Sequence, residues 1–205
     1  MVTRDFREAP RRDIYRILTS LVIPRPIAWI STLNEDGSPN LAPFSSFMGI
    51  FNPPAVAVTF GRHRDGRPKD THRNIRERGE AVVHIADRPL LESLHACGEA
   101  VDYGVSEPER LGLKTVPSEL VSPLRVAAAP VALECVMREE HSLGDQSTLV
   151  VLDVLRAHAR DDIWREDLDC ADGSLWTPVA RLGSVAGPNY GVLGERLTLD
   201  KPRLP

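Results

Sequence analysis

Residues 27–51 read IAWISTLNEDGSPNLAPFSSFMGIF. Ile27 to Leu33 is rich in β-branched and aromatic side chains, which pack well on a pleated surface. Asn34 to Asn40 is turn chemistry, and Asp36-Gly37 is its strongest signal, because a tight reversal needs positive φ. LAPFSSFMGIF then returns as a second extended segment, interrupted by Pro43. A hairpin over 27–51 is the expected result, and it sets a β-rich reading for the rest of the chain.

The pattern continues downstream. Pro53 and Pro54 punctuate, and AVAVTFG (55–61) is an apolar strand. DGRPKDT is a loop, Thr71 to Arg78 a short helix, and GEAVVHIA a strand from about Ala81. Upstream, RDIYRILTSL (12–21) places Ile14, Ile17, Leu18 and Leu21 at helical spacing, and Pro24 and Pro26 end that helix. RPLLESLHACG (88–98) reads as a second helix, with Asp87 at its N-cap and Pro89 in its first turn. Residues 99–126 are loop-rich. Strands return in VALECVMREEHSL and in STLVVLDVLRAHARDDIW, where 150–155 is apolar at nearly every position, as in a buried strand. GPNYGVLGERLTLDKPRLP reads as a mostly irregular tail. Seven or so extended segments with two or three short helices make a β-dominated α+β chain.

The 205 residues fit one domain, 1–205, with 1–12 as an N-terminal extension and 187–205 as a tail. With 42% hydrophobic residues the chain can bury a full core, and a net charge of −4 argues against a broad basic nucleic-acid face. Three separated cysteines, Cys97, Cys135 and Cys170, give no disulfide framework and no zinc spacing. Cys135 lies in an apolar run and reads as a buried strand residue. The charged N-terminus is no secretory signal, and no apolar run approaches membrane-spanning length. A cytoplasmic protein is expected. There is no GxGxxG and no P-loop, so no Rossmann-type nucleotide site is signalled.

Lys69-Asp70-Thr71 sits directly before the 71–78 helix. Two readings fit it. Asp70 or Thr71 caps the helix while Lys69 is solvated, or Lys69, Thr71 and the free helix N–H groups cradle an anion such as phosphate. The surrounding cations Arg62, Arg64, Arg67, Arg73, Arg76 and Arg78 serve that anion or form one solvated face. Ser31-Thr32, Ser45-Ser46 and Thr59 punctuate the strands with small polar residues, which let a ligand approach closely.

Four stretches, LVIPRPIAWISTLNEDGSPNLAPFSSFMGIFNPPAVAVTF, DGRPKDTHRNIRERGEAVVHI, VALECVMREEHSLGDQSTLVVLDVLRAHARDD and PVARLGSVAGPNYG, together resemble the flavin reductase-like family in its flavoredoxin-type branch. The resemblance implies an FMN-binding split β-barrel that works as a homodimer. It implies that Lys69 and Thr71 contact the flavin phosphate with Asn74 nearby. Ser31 and Thr32 would add polar contacts to the phosphate or ribityl chain. Ala42, Pro43, Phe44, Ser45 and Ser46 would run beside the ring, and Trp29 would either wall the site or sit in the core. His141 would face the flavin or the nicotinamide, or lie at the surface. Arg181, suited to pair with an anionic group, and Tyr190 would close over the site. No covalent catalyst is implied. The implied activity is NAD(P)H-dependent flavin oxidoreductase, with NADH or NADPH as donor and a monooxygenase or other acceptor as partner. The alternatives on the same fold are an FMN-binding electron-transfer protein and a non-enzymatic flavin or tetrapyrrole binder. The sequence departs from the family at His84, where relatives commonly carry Asn, at SEPERLGL, and at the longer RLGSVAGPNYG.

Overall fold

The computed structural model describes residues 1–183 and 187–199. Helix α1 (Arg11–Leu21) precedes strands β1 (Arg25–Pro26), β2 (Ala28–Leu33), β3 (Pro39–Phe44), β4 (Phe47–Phe51) and β5 (Pro54–Gly61). Helix α2 (Asp70–Arg78) leads into β6 (Glu80–Ile85), followed by short helices α3 (Leu91–Ala96) and α4 (Glu107–Arg110). The ribbon β7 (Thr115–Val116) and β8 (Arg125–Val126) precedes the long strands β9 (Val131–Ser142) and β10 (Ser147–Ala159). The ribbon β11 (Trp164–Arg165) and β12 (Cys170–Ala171) follows, then β13 (Val179–Arg181) and β14 (Tyr190–Val192).

The main sheet has seven strands in the order β3-β2-β6-β9-β10-β5-β4. Every pairing in it is antiparallel. Its two edges, β3 and β4, are consecutive in the chain and are joined by Ser45-Ser46 alone. A sheet whose opposite edges are tied by two residues must curl until those edges approach, which makes a split barrel. Register shifts between β9 and β10, at Val151/Leu152 and Val154/Arg156, supply local bends for that curl. A separate three-stranded sheet, β1-β13-β14, flanks the barrel.

The alternation of β2 explains the apolar run that opened the reading. Ala28 and Ile30 enter the barrel core with Val56, Val58, Phe60, Ile75, Val83, Cys135, Val150 and Leu152. Ile27 and Trp29 point to the other face, into a second core with Leu41, Leu90, Leu94, Cys97 and Val179. Both faces of the strand are covered, so nearly every position is apolar. Trp29 is fully buried and is a core residue, the second of its two expected placements.

Three expectations need correction. The segment 41–51 is two strands, broken at Ser45-Ser46 and not at Pro43. Pro43 lies inside edge strand β3 opposite Trp29, where an outward position tolerates a missing N–H. β4 therefore forms its own hairpin with β5. Second, residues 88–98 are not one helix: Arg88–Leu90 is a 3₁₀ turn and only Leu91–Ala96 is α-helical. Asp87 makes no cap bond there; its Oδ2 accepts from Arg160 Nη1 at 3.3 Å. Third, the loop-rich stretch contains α4, capped by the Ser106 hydroxyl. The described part of the tail is mostly irregular, as expected, apart from the short strand β14. Residues 184–186 and 200–205, parts of the expected RLG…Y segment and tail, lie outside the described residues.

His84 ties two layers together. It is fully buried in β6; its Nδ1 lies 2.9 Å from the Trp29 carbonyl oxygen, and its Nε2 lies 3.0 Å from the Val126 N–H. The carbonyl can only accept and the N–H can only donate, so the ring is a neutral Nδ1–H tautomer. Burial lowers its pKa from 6.5 to about 4. A depressed histidine favours the neutral form in the folded state. The unfolded chain therefore binds more protons between these values, and stability falls as pH drops through that window. The expected loss between neutrality and pH 4 is about 3 kcal/mol. Urea unfolding of His84→Gln at several pH values should show a flattened slope between pH 6.5 and 4. An unchanged slope would remove His84 as its source.

Candidate functional site

A buried hydrogen-bond network fixes the start of α2 against the first hairpin. Asn40 Nδ2 donates to Thr32 Oγ1 at 3.0 Å and to Thr71 Oγ1 at 2.9 Å. Asn74 Nδ2 donates to Thr32 Oγ1 and to Asn34 Oδ1, both at 3.0 Å. All five side chains are buried. Thr71 is an acceptor in this network, which leaves its own hydroxyl hydrogen free to donate.

The helix beginning there has no side-chain cap. Lys69 is the N-cap residue, and neither Asp70 nor Thr71 satisfies the first-turn N–H groups. Those N–H groups, the Thr71 hydroxyl and the Lys69 ammonium therefore converge with unused donor capacity. Most neighbouring cations are committed elsewhere. Arg62 donates to the Asp145 and Gly66 carbonyls, Arg67 pairs with Asp65, Arg76 with Glu140, and Arg78 with the Asn34 and Glu35 carbonyls. Arg73 stacks on Tyr103 at 3.1 Å from the ring centroid. Among the described residues Lys69 Nζ has only His63 Nδ1, at 3.5 Å.

Two cavities meet beside this point. The smaller, about 140 Å³, is lined by Asn40, Ala42, Pro43, Phe44, Lys69, Thr71 and Glu107, among others. The wider, about 620 Å³, is lined by Arg25, Pro43, Ser45, His95, Arg181 and Tyr190, among others. They adjoin at Pro43, Gly98 and Glu99. The edge strand β3 and the Ser45 link thus form one wall of a groove. Its narrow end is the Lys69–Thr71 cradle, and its wide end opens toward β13 and β14.

Carboxylates also face the narrow end. Asp70, Glu99 and Glu107 line it. Glu99 is neutralised by Arg110 at 2.9 Å. Glu107 is buried and accepts the Leu41 N–H at 2.9 Å. Burial raises its pKa above the usual carboxylate value, with the charge of Asp70 adding to the rise.

The residues expected from sequence divide into two sets. Lys69, Thr71, Ala42, Pro43, Phe44, Ser45, Arg181 and Tyr190 line the groove. Arg181 and Tyr190 do so within the same chain as Pro43 and Ser45. The others lie elsewhere. Trp29 is in the core, Ser31 is buried, and Thr32 and Asn74 are buried supports of Thr71. Ser46 faces a neighbouring cavity with Tyr15, Leu18 and Phe47. His141 is half exposed at the end of β9 and sits 3.2 Å from Glu139.

Sequence reasoning missed Asn40, Glu107, Arg25 and His95. Asn40 closed a turn by composition, and only the β2–β3 register, which sets Thr32 opposite Asn40, brings it to Thr71. Glu107 comes from a segment read as loop. No local signal marks either.

Residues 20–174 match the flavin reductase like domain. An uncharacterized protein of Halalkalibacterium halodurans is 36% identical over 200 residues, covering 95% of this chain and 93% of its own. Among solved structures, nitrilotriacetate monooxygenase component B from Bacillus cereus is similar at 31% identity and a TM-score of 0.89, covering 97% of this chain and 98% of its own. The Pseudomonas fluorescens 2-nitrobenzoate 2-nitroreductase NbaA is similar at 29% identity and a TM-score of 0.87, covering 98% and 96%. With its curled sheet, uncapped helix start and shared groove, the chain belongs to the flavin reductase-like family.

Proposed function

We propose that the protein is an FMN-binding, NAD(P)H-dependent flavin oxidoreductase. The observation that carries this reading is the groove. A small, donor-rich end suits a phosphate, a wall of small and apolar side chains suits a flat ring, and a wider adjoining cavity leaves room for a second substrate. When bound, FMN supplies hydride-level redox chemistry. The chain's own residues supply position. Lys69, Thr71 and the first-turn N–H groups of α2 hold the phosphate. Ala42 to Ser45 lie along the ring, and Asn40, tied to Thr32 as Asn74 is, keeps Thr71 aimed. An open second cavity favours an enzyme over a passive binder, whose ring face would be blocked.

The likeness to a monooxygenase component supports delivery of electrons to a partner monooxygenase. The likeness to a nitroreductase supports a second reading, direct reduction of an organic acceptor in the wide cavity. Whichever acceptor is used, the working form proposed is a homodimer. Helix α1 has no buried residue, and Tyr15, Leu21, Val22, Met48 and Phe51 are exposed, with Phe51 at 92%. An apolar face of this kind is normally covered.

No thiol is needed. Burial pushes the Cys97 and Cys135 thiols up to about 12, so neither is a thiolate near neutral pH. Cys135→Ser should therefore leave turnover nearly intact; loss of turnover in a folded variant would restore a thiol step.

The deciding experiment is an absorbance spectrum of the protein with FMN, repeated anaerobically after NADH or NADPH. Flavin bands that bleach identify a reductase and its donor. Bands that persist identify an electron carrier or binder, and overturn the reductase. Lys69→Ala should weaken FMN binding by about 1.5–3 kcal/mol, roughly 10- to 150-fold in Kd. Thr71→Val should cost about 1 kcal/mol. Arg64→Ala, exposed in the same loop, serves as control. Equal affinity in all three by fluorescence titration would move the phosphate away from α2.

A further inference from the structure

The wide cavity contains a charge arrangement that the flavin reading does not use. Arg25 and Arg181 are direct cross-strand partners in the antiparallel pairing of β1 with β13. Like charges placed opposite one another destabilise a ladder. Among the described residues neither forms an ion pair with a carboxylate, and both line the same cavity of about 620 Å³. Among the described residues the one carboxylate on that cavity wall, Glu99, is already paired with Arg110. A local conflict of this kind, kept without a counter-charge, marks a place built for a ligand.

Both guanidiniums are also held in place. Arg25 Nη1 donates to the Thr19 carbonyl at 2.6 Å and the Val22 carbonyl at 3.2 Å, and its Nε is 3.5 Å from Ser45 Oγ. The Arg181 guanidinium lies over the Tyr190 ring at 4.8 Å, and the Tyr190 hydroxyl is 3.0 Å from His95 Nδ1. Arg181 itself donates no hydrogen bond among the described residues. Among the described residues its fork is positioned and unused.

We infer that Arg25 and Arg181 form a subsite for the anionic oxygen group of the second substrate, a carboxylate or a phosphate, brought in beside Ser45. This rests on the proposed function for its order of binding: Lys69 and Thr71 take the flavin phosphate, so the arginine pair is left for the molecule that follows. Two sources share the chemistry, the pyrophosphate of a nicotinamide dinucleotide and the carboxylate of an organic acceptor. The Arg181 fork recognises either by paired N–H donation, and Arg25, whose Nη1 is committed to the Thr19 and Val22 carbonyls, adds its charge and its Nη2 group.

Calorimetric titration separates these sources without relying on turnover. The probes are NADH, benzoate, and benzamide as the uncharged counterpart of benzoate, each added to wild type, Arg181→Gln and Arg181→Lys, with and without FMN. If the carboxylate is the ligand, benzoate binds wild type at least tenfold more tightly than benzamide. That preference disappears in Arg181→Gln and is partly kept in Arg181→Lys. If the dinucleotide is the ligand, Arg181→Gln weakens NADH at least tenfold, again with partial rescue by Lys. Retention of both affinities in a folded Arg181→Gln variant overturns the subsite. So does a tenfold loss of FMN affinity with neither probe affected, which would assign the pair to the flavin. If wild type binds no FMN at all, the proposed function fails, and the titrations without FMN still decide the arginine pair. Should Arg181→Gln lose its native circular dichroism, the Arg181→Lys titration carries the test: affinities equal to wild type for both probes would overturn it.

Discussion

The site depends on one buried contact set, the amides of Asn40 and Asn74 on the hydroxyls of Thr32 and Thr71. It fastens the first turn of α2 to the hairpin β2–β3. Buried amides and hydroxyls are costly unless paired, so the network specifies one register of hairpin against helix. A shift by one residue would turn Thr32 to the opposite face and break both amide bonds. The cradle around Thr71 is thus held by groups that never need to touch a ligand. This is why its donors can remain uncapped: the helix start gains its position from the network instead of from a cap.

The barrel supplies the second constraint. Because β3 and β4 are the two edges of one sheet and Ser45-Ser46 is their only link, the chain must pass across the split at that point. The groove follows that crossing. Ala42 to Ser45 are simultaneously the end of an edge strand, the start of the link and the wall of both cavities. An unpaired edge normally invites another chain to pair with it. Here Pro43 removes a donor from the edge, and α3 packs nearby through Leu94, which shares the second core with Leu41. A clamp on the far side keeps the long strands in place. Buried Glu134 of β9 accepts from the Glu119 and Leu120 N–H groups and from His158 Nε2 at 2.6 Å. Burial alone would raise its pKa; those three donors more than offset it, and the carboxyl is lowered instead.

Much of this was legible in the chain. The apolar run 27–33, the Asp36-Gly37 turn and the apolar strands after it gave the β-rich class, because period and turn chemistry are local. Lys69-Asp70-Thr71 before a helix left two readings open, a cap or an anion cradle, and among the described residues no side chain caps that helix. What failed was the reading of long-range pairing. Pro43 looked like a breaker until β3 proved to be an edge, and the true break at Ser45-Ser46 has no turn signature. The resemblance set Ser31, Thr32 and Asn74 at or near the phosphate and left Trp29 between site wall and core; all four are buried, and the face each presents depends on which surfaces the rest of the chain covers. Both faces of β2 are covered, so period-2 alternation carried no sign of which side was solvent. His84 reads in sequence as a substitution near a site; in the fold it is a neutral bridge between Trp29 and Val126.

The two ends of the groove differ in a way that bears on how they work. The narrow end is backed by five buried polar side chains in mutual hydrogen bonds, so its geometry is set before any ligand arrives. Pre-organisation lowers the ordering cost of binding and favours a ligand that stays. The wide end is walled by β13, β14 and the exposed helix α1, elements with short pairings or no buried side chain. Such elements have few contacts holding them closed, and they open at low cost. A tightly backed cradle joined to a loosely walled cavity suits a resident cofactor beside an exchanging partner. The same asymmetry bears on the charges: Lys69, with His63 beside it, lies over a rigid floor, whereas Arg25 and Arg181 are braced by carbonyls and an aromatic ring at the end where the wall is least fixed.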